Sequence, residues 1–217
     1  MKTALVLVAA VGVALCTAAL AGTDPRAEKK QLTKADMALA ARSVLRPADL
    51  SPEWTATTPS PFDQKAPECP GYAPDFSRFT ITGRAHAAFK GPAGARIESE
   101  VDVLKTRADA RRDFALGAQP LLADCLATLV PKQMQAAGVE AQVVSAKMTS
   151  TPRIGERSAF YHLAFQLTAA GQRIPLYIDV VAFLRGRTIG AVDFVNALQP
   201  LPDEVGLVQK LTARAAG

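Results

Sequence analysis

His162 is the side chain in this sequence with the best-defined chemical neighbours. A tight turn at 170–171 pairs the apolar residues of the two flanking strands with one another, and the same alignment sets His162 opposite Asp179. A three-residue connection centred on Gly186 then sets Asp193 opposite Asp179. Facing carboxylates repel, so a protonated imidazole or a cationic ligand group would stabilise this trio. It is interpreted as an acid–base pair or a polar binding spot, and the plainer alternative is a surface salt bridge worth at most about 1 kcal/mol.

Large apolar side chains share the predicted strand face of this trio. A solvent-facing surface does not normally carry so many of them, so something must cover or bind this face. Either the proline-rich loop or a helix covers it, or it forms a groove for a lipid or another small apolar ligand. Trp54, in the proline-rich loop, serves either as an anchor for that loop or as a ligand platform. The predicted ligand-binding residues are Tyr177, Phe183, Phe160 and Trp54.

Motifs of the common enzyme classes are absent from the sequence. It contains no G-x-S-x-G elbow, no H-E-x-x-H, no P-loop and no G-x-G-x-x-G pattern. The second of its two histidines, His86, is part of no catalytic motif. We therefore expect no cofactor and no metal site. Catalysis through carboxylates or a lone serine stays an alternative.

The first 21 residues are typical of a secretory signal peptide. Lys2 supplies the positive start, an apolar stretch follows, and 19–21 reads A-L-A, which predicts cleavage after Ala21. The alternative is a transmembrane anchor, but the apolar run of about 17 residues is at the short limit for a helix that spans a bilayer. A second alternative is lipid attachment at Cys16, because the residues before it resemble the lipobox of bacterial lipoproteins. Membrane attachment is expected only in that case.

Export changes the interpretation of the charge and of the cysteines. The formal net charge of +5 comes from scattered basic residues, and outside the cytoplasm nucleic acid is not expected as a partner. After signal cleavage two cysteines remain, Cys69 and Cys125, and in an oxidising compartment their simplest state is a disulfide. Closing a loop of about 57 residues would contribute on the order of 4 kcal/mol.

The order of predicted elements indicates an α+β fold. An antiparallel sheet of about six strands, made of a hairpin and a four-strand meander, packs against a long central helix and terminal helices. A flexible tether (22–32) precedes a single domain (33–217), and a proline-rich loop (47–76) within it is predicted to lack regular structure. The predicted elements are a helix at 33–45, hairpin strands at 79–90 and 97–103 with one apolar face from Phe79 to Phe89, a helical region at 107–137 divided near Pro120, strands near 139–150, 158–169, 172–184 and 188–196, and a closing helix at 202–215.

This arrangement resembles the extracytoplasmic sensor-type domains of actinobacteria, which occur as secreted proteins, as lipoproteins and as the outer domains of receptor Ser/Thr kinases. The resemblance spans about residues 33–216. It rests on Cys69 before the first hairpin strand, Ile97–Val103 followed by a helix from Arg107, Cys125 on that helical region, and Phe183–Arg187 in the meander. It implies a mixed α/β domain with a ligand-sized cleft and no demonstrated catalysis.

The resulting expectation is an exported, non-catalytic binding or sensor-like domain for a small, partly apolar ligand. The first alternative is a hydrolase-type enzyme that uses His162 with Asp179 or Asp193. The second is a structural interaction module of the cell envelope. The oligomeric state is left open.

Overall fold

The structure, a computed structural model, describes residues 25–60, 69–150, 152–169 and 171–216. The predicted signal peptide and Cys16 lie outside these residues. Over the described residues the fold is α+β, as predicted, with an open, mostly antiparallel sheet and four helices.

The predicted hairpin and meander belong to one sheet of eight strands. The strands are β1 (Lys29–Lys30), β2 (Thr55–Thr57), β3 (Thr80–Lys90), β4 (Arg96–Leu104), β5 (Glu140–Thr149), β6 (Arg157–Ala169), β7 (Gln172–Arg185) and β8 (Thr188–Ala197). The order of the strands in the sheet is β1-β3-β4-β8-β7-β6-β5, and β2 also pairs with β3. The two short strands correct the sequence prediction, because β1 lies in the expected tether and β2 in the proline-rich loop. Both use the backbone groups along the outer edge of β3, which would otherwise lack partners.

A β-bulge in β3 overturns the prediction that Phe79 to Phe89 share one face. The register with β4 shifts between Ile81 and Gly83, and the hydroxyl of Thr82 donates to the carbonyl of Val103 at 3.1 Å. Phe79 and Ile81 therefore pack in one core cluster, whereas Phe89 packs in the cluster on the other side of the sheet.

Side-chain caps and a proline fix the ends of the helices. Thr33 accepts a hydrogen bond from the amide of Asp36, and Thr106 accepts one from the amide of Asp109, so each threonine satisfies an otherwise unpaired amide. Pro120 divides the central helical region in two, as predicted. The helices are α1 (Lys34–Ser43), α2 (Arg107–Gly117), α3 (Leu121–Ala136) and α4 (Glu204–Arg214).

Helices cover parts of both faces of the sheet. On one face, α2 and α3 pack over a cluster that includes Tyr161 and Phe165, and on the other, α1 and α4 pack over Phe183 and Phe194. The contact of α1 with β3 requires a glycine, because a Cβ atom at Gly83 would lie 2.2 Å from a carbonyl oxygen of α1. No single helix within the described residues is long and apolar enough to cross a membrane; α2 and α3 meet that test of length and composition only as a pair, bent by 57°.

The predicted disulfide between Cys69 and Cys125 is confirmed. Cys125 is 2% exposed on the inner side of α3, so the bond fastens the end of the proline-rich segment to the buried side of that helix. Nearby, the hydroxyl of Tyr72 donates to the carbonyl of Gly117 at 2.9 Å, which adds a second link between this segment and the helices.

Candidate functional site

His162 and Asp179 meet as the sequence predicts. They face each other across the β6–β7 ladder, and Nδ1 of His162 lies 2.6 Å from Oδ1 of Asp179. The Asp179 side chain is 2% exposed and the His162 side chain 24%. The pair therefore has a buried carboxyl end and an imidazole that solvent or a ligand can reach.

Asp193 does not join this pair, and that prediction is wrong. The β7–β8 connection has two residues, with Arg185 facing Thr188 across a turn in which Gly186 has a φ of +62°. This one-residue difference from the expected connection sets Phe194, not Asp193, opposite Asp179. Because neighbouring residues of a strand point to opposite faces, Asp193 lies on the other side of the sheet.

Glu204 completes the cluster and was not predicted. It lies in the first turn of α4, where its carboxyl accepts a hydrogen bond from the amide of Leu201 at 3.1 Å and shares another with the carboxyl of Asp179. No motif connects Glu204 with His162 in the sequence. The connection exists only because α4 packs against β7, a tertiary contact that has no local signal.

The environment favours a protonated Glu204. Burial, together with the nearby charge of Asp179, raises the pKa of Glu204 to about 8. Burial also raises the pKa of Asp179, while the hydrogen bond from His162 opposes that shift. At neutral pH the carboxyl of Glu204 can thus donate to Asp179, which accepts a second hydrogen bond from Nδ1–H of His162.

The other ring nitrogen of His162, Nε2, is available for a ligand. Within the described ranges the ring hydrogen-bonds only to Asp179. A carboxylate on Nδ1 fixes the orientation of the ring, so Nε2 can exchange a hydrogen bond or a proton with a bound group.

Two of the predicted aromatic residues flank His162, and two do not. Phe160 and Tyr177 are half-buried on the same face, and the ring centroids of Tyr177 and His162 are 6.1 Å apart. Phe183 is fully buried in the core beneath the helices. Trp54 packs over Gly91 at the turn between β3 and β4. We call Phe160, His162 and Tyr177 the His162 strip.

The opposite face carries a separate set of acidic groups. Arg84 forms two hydrogen bonds of 2.6 Å with Asp102. Burial raises the pKa of Asp113 to about 8, with the charge of Glu28 acting in the same direction. Burial likewise raises the pKa of Asp193 to about 7. Neither Asp113 nor Asp193 hydrogen-bonds to His162, but both titrate in the same range as Glu204.

A shallow groove of about 510 Å³ lies between the start of α3 and the end of β5. Pro120, Asp124 and Met148 contribute to its walls, and none of the predicted site residues lines it. No group of three or more His, Cys, Asp or Glu side chains in the described part of the chain is arranged to hold a metal ion.

No protein-family model matches the chain, and no curated protein matches it. Among solved structures, it is similar to the extracellular domain of PknH from Mycobacterium tuberculosis, with a TM-score of 0.47 and 11% sequence identity. That similarity covers 86% of this chain and 96% of the other. It is a distant resemblance to an extracellular domain, and the function proposed below rests on this chain's own residues.

Proposed function

We propose that this protein is an exported, non-catalytic binding domain of the sensor type, and that it takes a small, partly apolar ligand at the His162 strip. The observation that carries this proposal is the orientation and partial exposure of the His162 ring. Its ring is oriented by a buried carboxylate 2.6 Å away and yet is 24% exposed, between two half-buried aromatic side chains.

The surroundings of His162 favour binding over catalysis. An acid–base pair needs a nucleophile, an activated water or a metal to act upon. Among the described residues, the ring hydrogen-bonds to no serine or threonine hydroxyl, and both cysteines are bonded to each other. Because Asp193 lies on the other face, only His162 and Asp179 remain of the three residues predicted for the hydrolase-type alternative.

The chemistry of the strip suggests the kind of ligand. The rings of Phe160 and Tyr177 offer apolar contact to a chain or ring, and Nε2 of His162 offers one directional hydrogen bond. A molecule with an apolar part and one polar group next to it fits this arrangement. Tyr177 and Phe160 are the predicted ligand residues that this proposal keeps.

The disulfide supports an extracytoplasmic location, because such bonds persist in oxidising compartments. In this proposal the signal peptide is cleaved after Ala21, the domain comprises 33–217 together with β1 from the expected tether, and the membrane is involved only if Cys16 carries a lipid.

Native mass spectrometry of protein purified from its own host tests the proposal. We expect wild-type protein to carry a bound small molecule, and its occupancy to fall about tenfold or more in Phe160→Ala or Tyr177→Ala, because each change removes apolar contact with the ligand. The same spectrum gives the mature N-terminus, expected at Gly22, and the mass of any lipid.

Phe76→Ala is the matched control, since Phe76 is also a half-buried aromatic residue but packs on the other side of the sheet, against the helices. Its occupancy should equal that of the wild type. A wild-type protein without any bound mass, or equal loss in all three variants, would argue against a site at the His162 strip.

A further inference from the structure

The two edges of the sheet differ. The outer edge of β3 is paired with both β1 and β2. At the other end, β5 runs for ten residues and, among the described residues, pairs only with β6. A long edge strand presents a row of backbone donors and acceptors that another strand can pair with.

The side chains of β5 do little to protect this edge. Val143 is 40% exposed, Val144 66% and Met148 37%. The charged side chains of β5 are Glu140 and Lys147, one near each end. Charges at the middle of an edge strand normally prevent pairing with other chains, whereas here two valines occupy the middle.

A β-bulge alters which side chains of β5 share a face. Its register with β6 shifts between Val143 and Ser145, so β5 has one more residue than β6 over this stretch. Glu140 pairs with Thr168 and Lys147 pairs with His162, and these two partners lie on the same face of β6. In a regular strand, residues seven positions apart point to opposite faces, but the bulge brings Glu140 and Lys147 to the same one.

We infer that β5 is a self-association surface, and that it pairs antiparallel with β5 of a second copy about a twofold axis between Val143 and Val144. A twofold perpendicular to the sheet requires that facing residues lie on the same face, and the bulge satisfies this condition for Glu140 and Lys147. The facing pairs would be Glu140 with Lys147, Ala141 with Ala146, Gln142 with Ser145, and Val143 with Val144, each occurring twice.

These pairs are complementary along the whole strand. The acid faces the base at both ends, the amide faces the hydroxyl, and apolar residues face apolar residues, all of which stabilise antiparallel pairing. Neither Glu140 nor Lys147 forms an ion pair with another described residue, so this pairing breaks no ion pair within the described part of the chain. The exposed valines would lie at the centre of the interface.

Sedimentation velocity of the mature, oxidised protein tests this inference. We expect a dimer for the wild type, and a dissociation constant raised about tenfold or more in Lys147→Glu and in Glu140→Lys, because each change places like charges opposite each other twice. The double variant E140K/K147E restores both ion pairs and should dimerise like the wild type. An equimolar mixture of the two single variants should form a heterodimer, since each supplies the charges that the other lacks.

Lys90→Glu is the control, because Lys90 is an exposed strand lysine at the end of β3, far from β5 in the strand order. Circular dichroism checks that each variant is folded. Any of three results overturns the inference: a monomeric wild type up to about 100 μM, which is a weak limit for a specific dimer; single variants that dimerise like the wild type; or a double variant that stays monomeric. Lys147 faces His162 across the β5–β6 ladder, so the two surfaces are neighbours. The two proposals have separate readouts, the oligomeric state and the bound mass, so failure of one leaves the other intact.

Discussion

Replacing Cys69 and Cys125 together by alanine is expected to lower the free energy of unfolding by about 4 kcal/mol. The two residues are 56 positions apart, so their bond closes a long loop and lowers the conformational entropy of the unfolded chain. Its loss also frees the end of the proline-rich segment from the inner side of α3. Guanidinium unfolding of the two proteins under oxidising conditions measures the difference.

Wild-type protein kept in a reducing buffer is the control for this experiment. Its stability should fall to that of the double variant, and the variant's own stability should not respond to the reductant. A double variant within about 1 kcal/mol of the oxidised wild type would show that the bond contributes little to stability.

The second large effect is a pH dependence that originates at Glu204. Burial and the charge of Asp179 raise the folded-state pKa of Glu204 from 4.5 to about 8, so the folded protein holds this proton more tightly than the unfolded chain does. The stabilisation from this group is complete below pH 4.5 and is lost as the pH rises through about 8. Glu204→Gln removes that loss, because the amide of glutamine can donate to Asp179 at every pH.

We therefore expect the stability of Glu204→Gln, relative to the wild type, to rise by roughly 2 kcal/mol between pH 5 and pH 8.5, which is about half of what the full pKa shift would give, because solvent screens part of the effect. Glu100, Asp113 and Asp193 titrate in the same range but are unchanged in the variant, so the difference between the two proteins reports on the hydrogen-bonded pair of Glu204 and Asp179. Thermal unfolding over this pH range provides the measurement. Parallel pH profiles for the two proteins would mean that Glu204 is ionised in the fold at neutral pH.

The register of β6 with β7 could be predicted because a one-residue slip would have broken the apolar pairing of the two strands. The register of β7 with β8 could not. From Val180 to Leu184, β7 is apolar at every position, because helices cover both of its faces, so either register with β8 pairs apolar residues there. The register then depends on the length of the connection at Gly186, which is two residues and not the expected three. Hence Asp179 was placed correctly and Asp193 on the wrong face.

Other features depended on tertiary contacts. The elements and their order followed from periodicity, prolines and caps. The bulge at Thr82, the added strands β1 and β2, and the docking of Glu204 onto Asp179 each arise where distant segments meet. The sequence predicts Phe183 on a ligand face because the large apolar residues there need cover. In the structure α1 and α4 cover Phe183, whereas Phe160 and Tyr177 are half-buried.

Nitrogen NMR of histidine-labelled protein tests the ligand site most directly, because the chain has two histidines and His86 acts as an internal reference. Protein purified from its own host is compared with the same protein after unfolding and oxidative refolding, which removes a bound molecule. We predict that the Nε2 resonance of His162 differs between the two samples while the resonances of His86 coincide. Identical His162 spectra in both samples would contradict a ligand at the His162 strip.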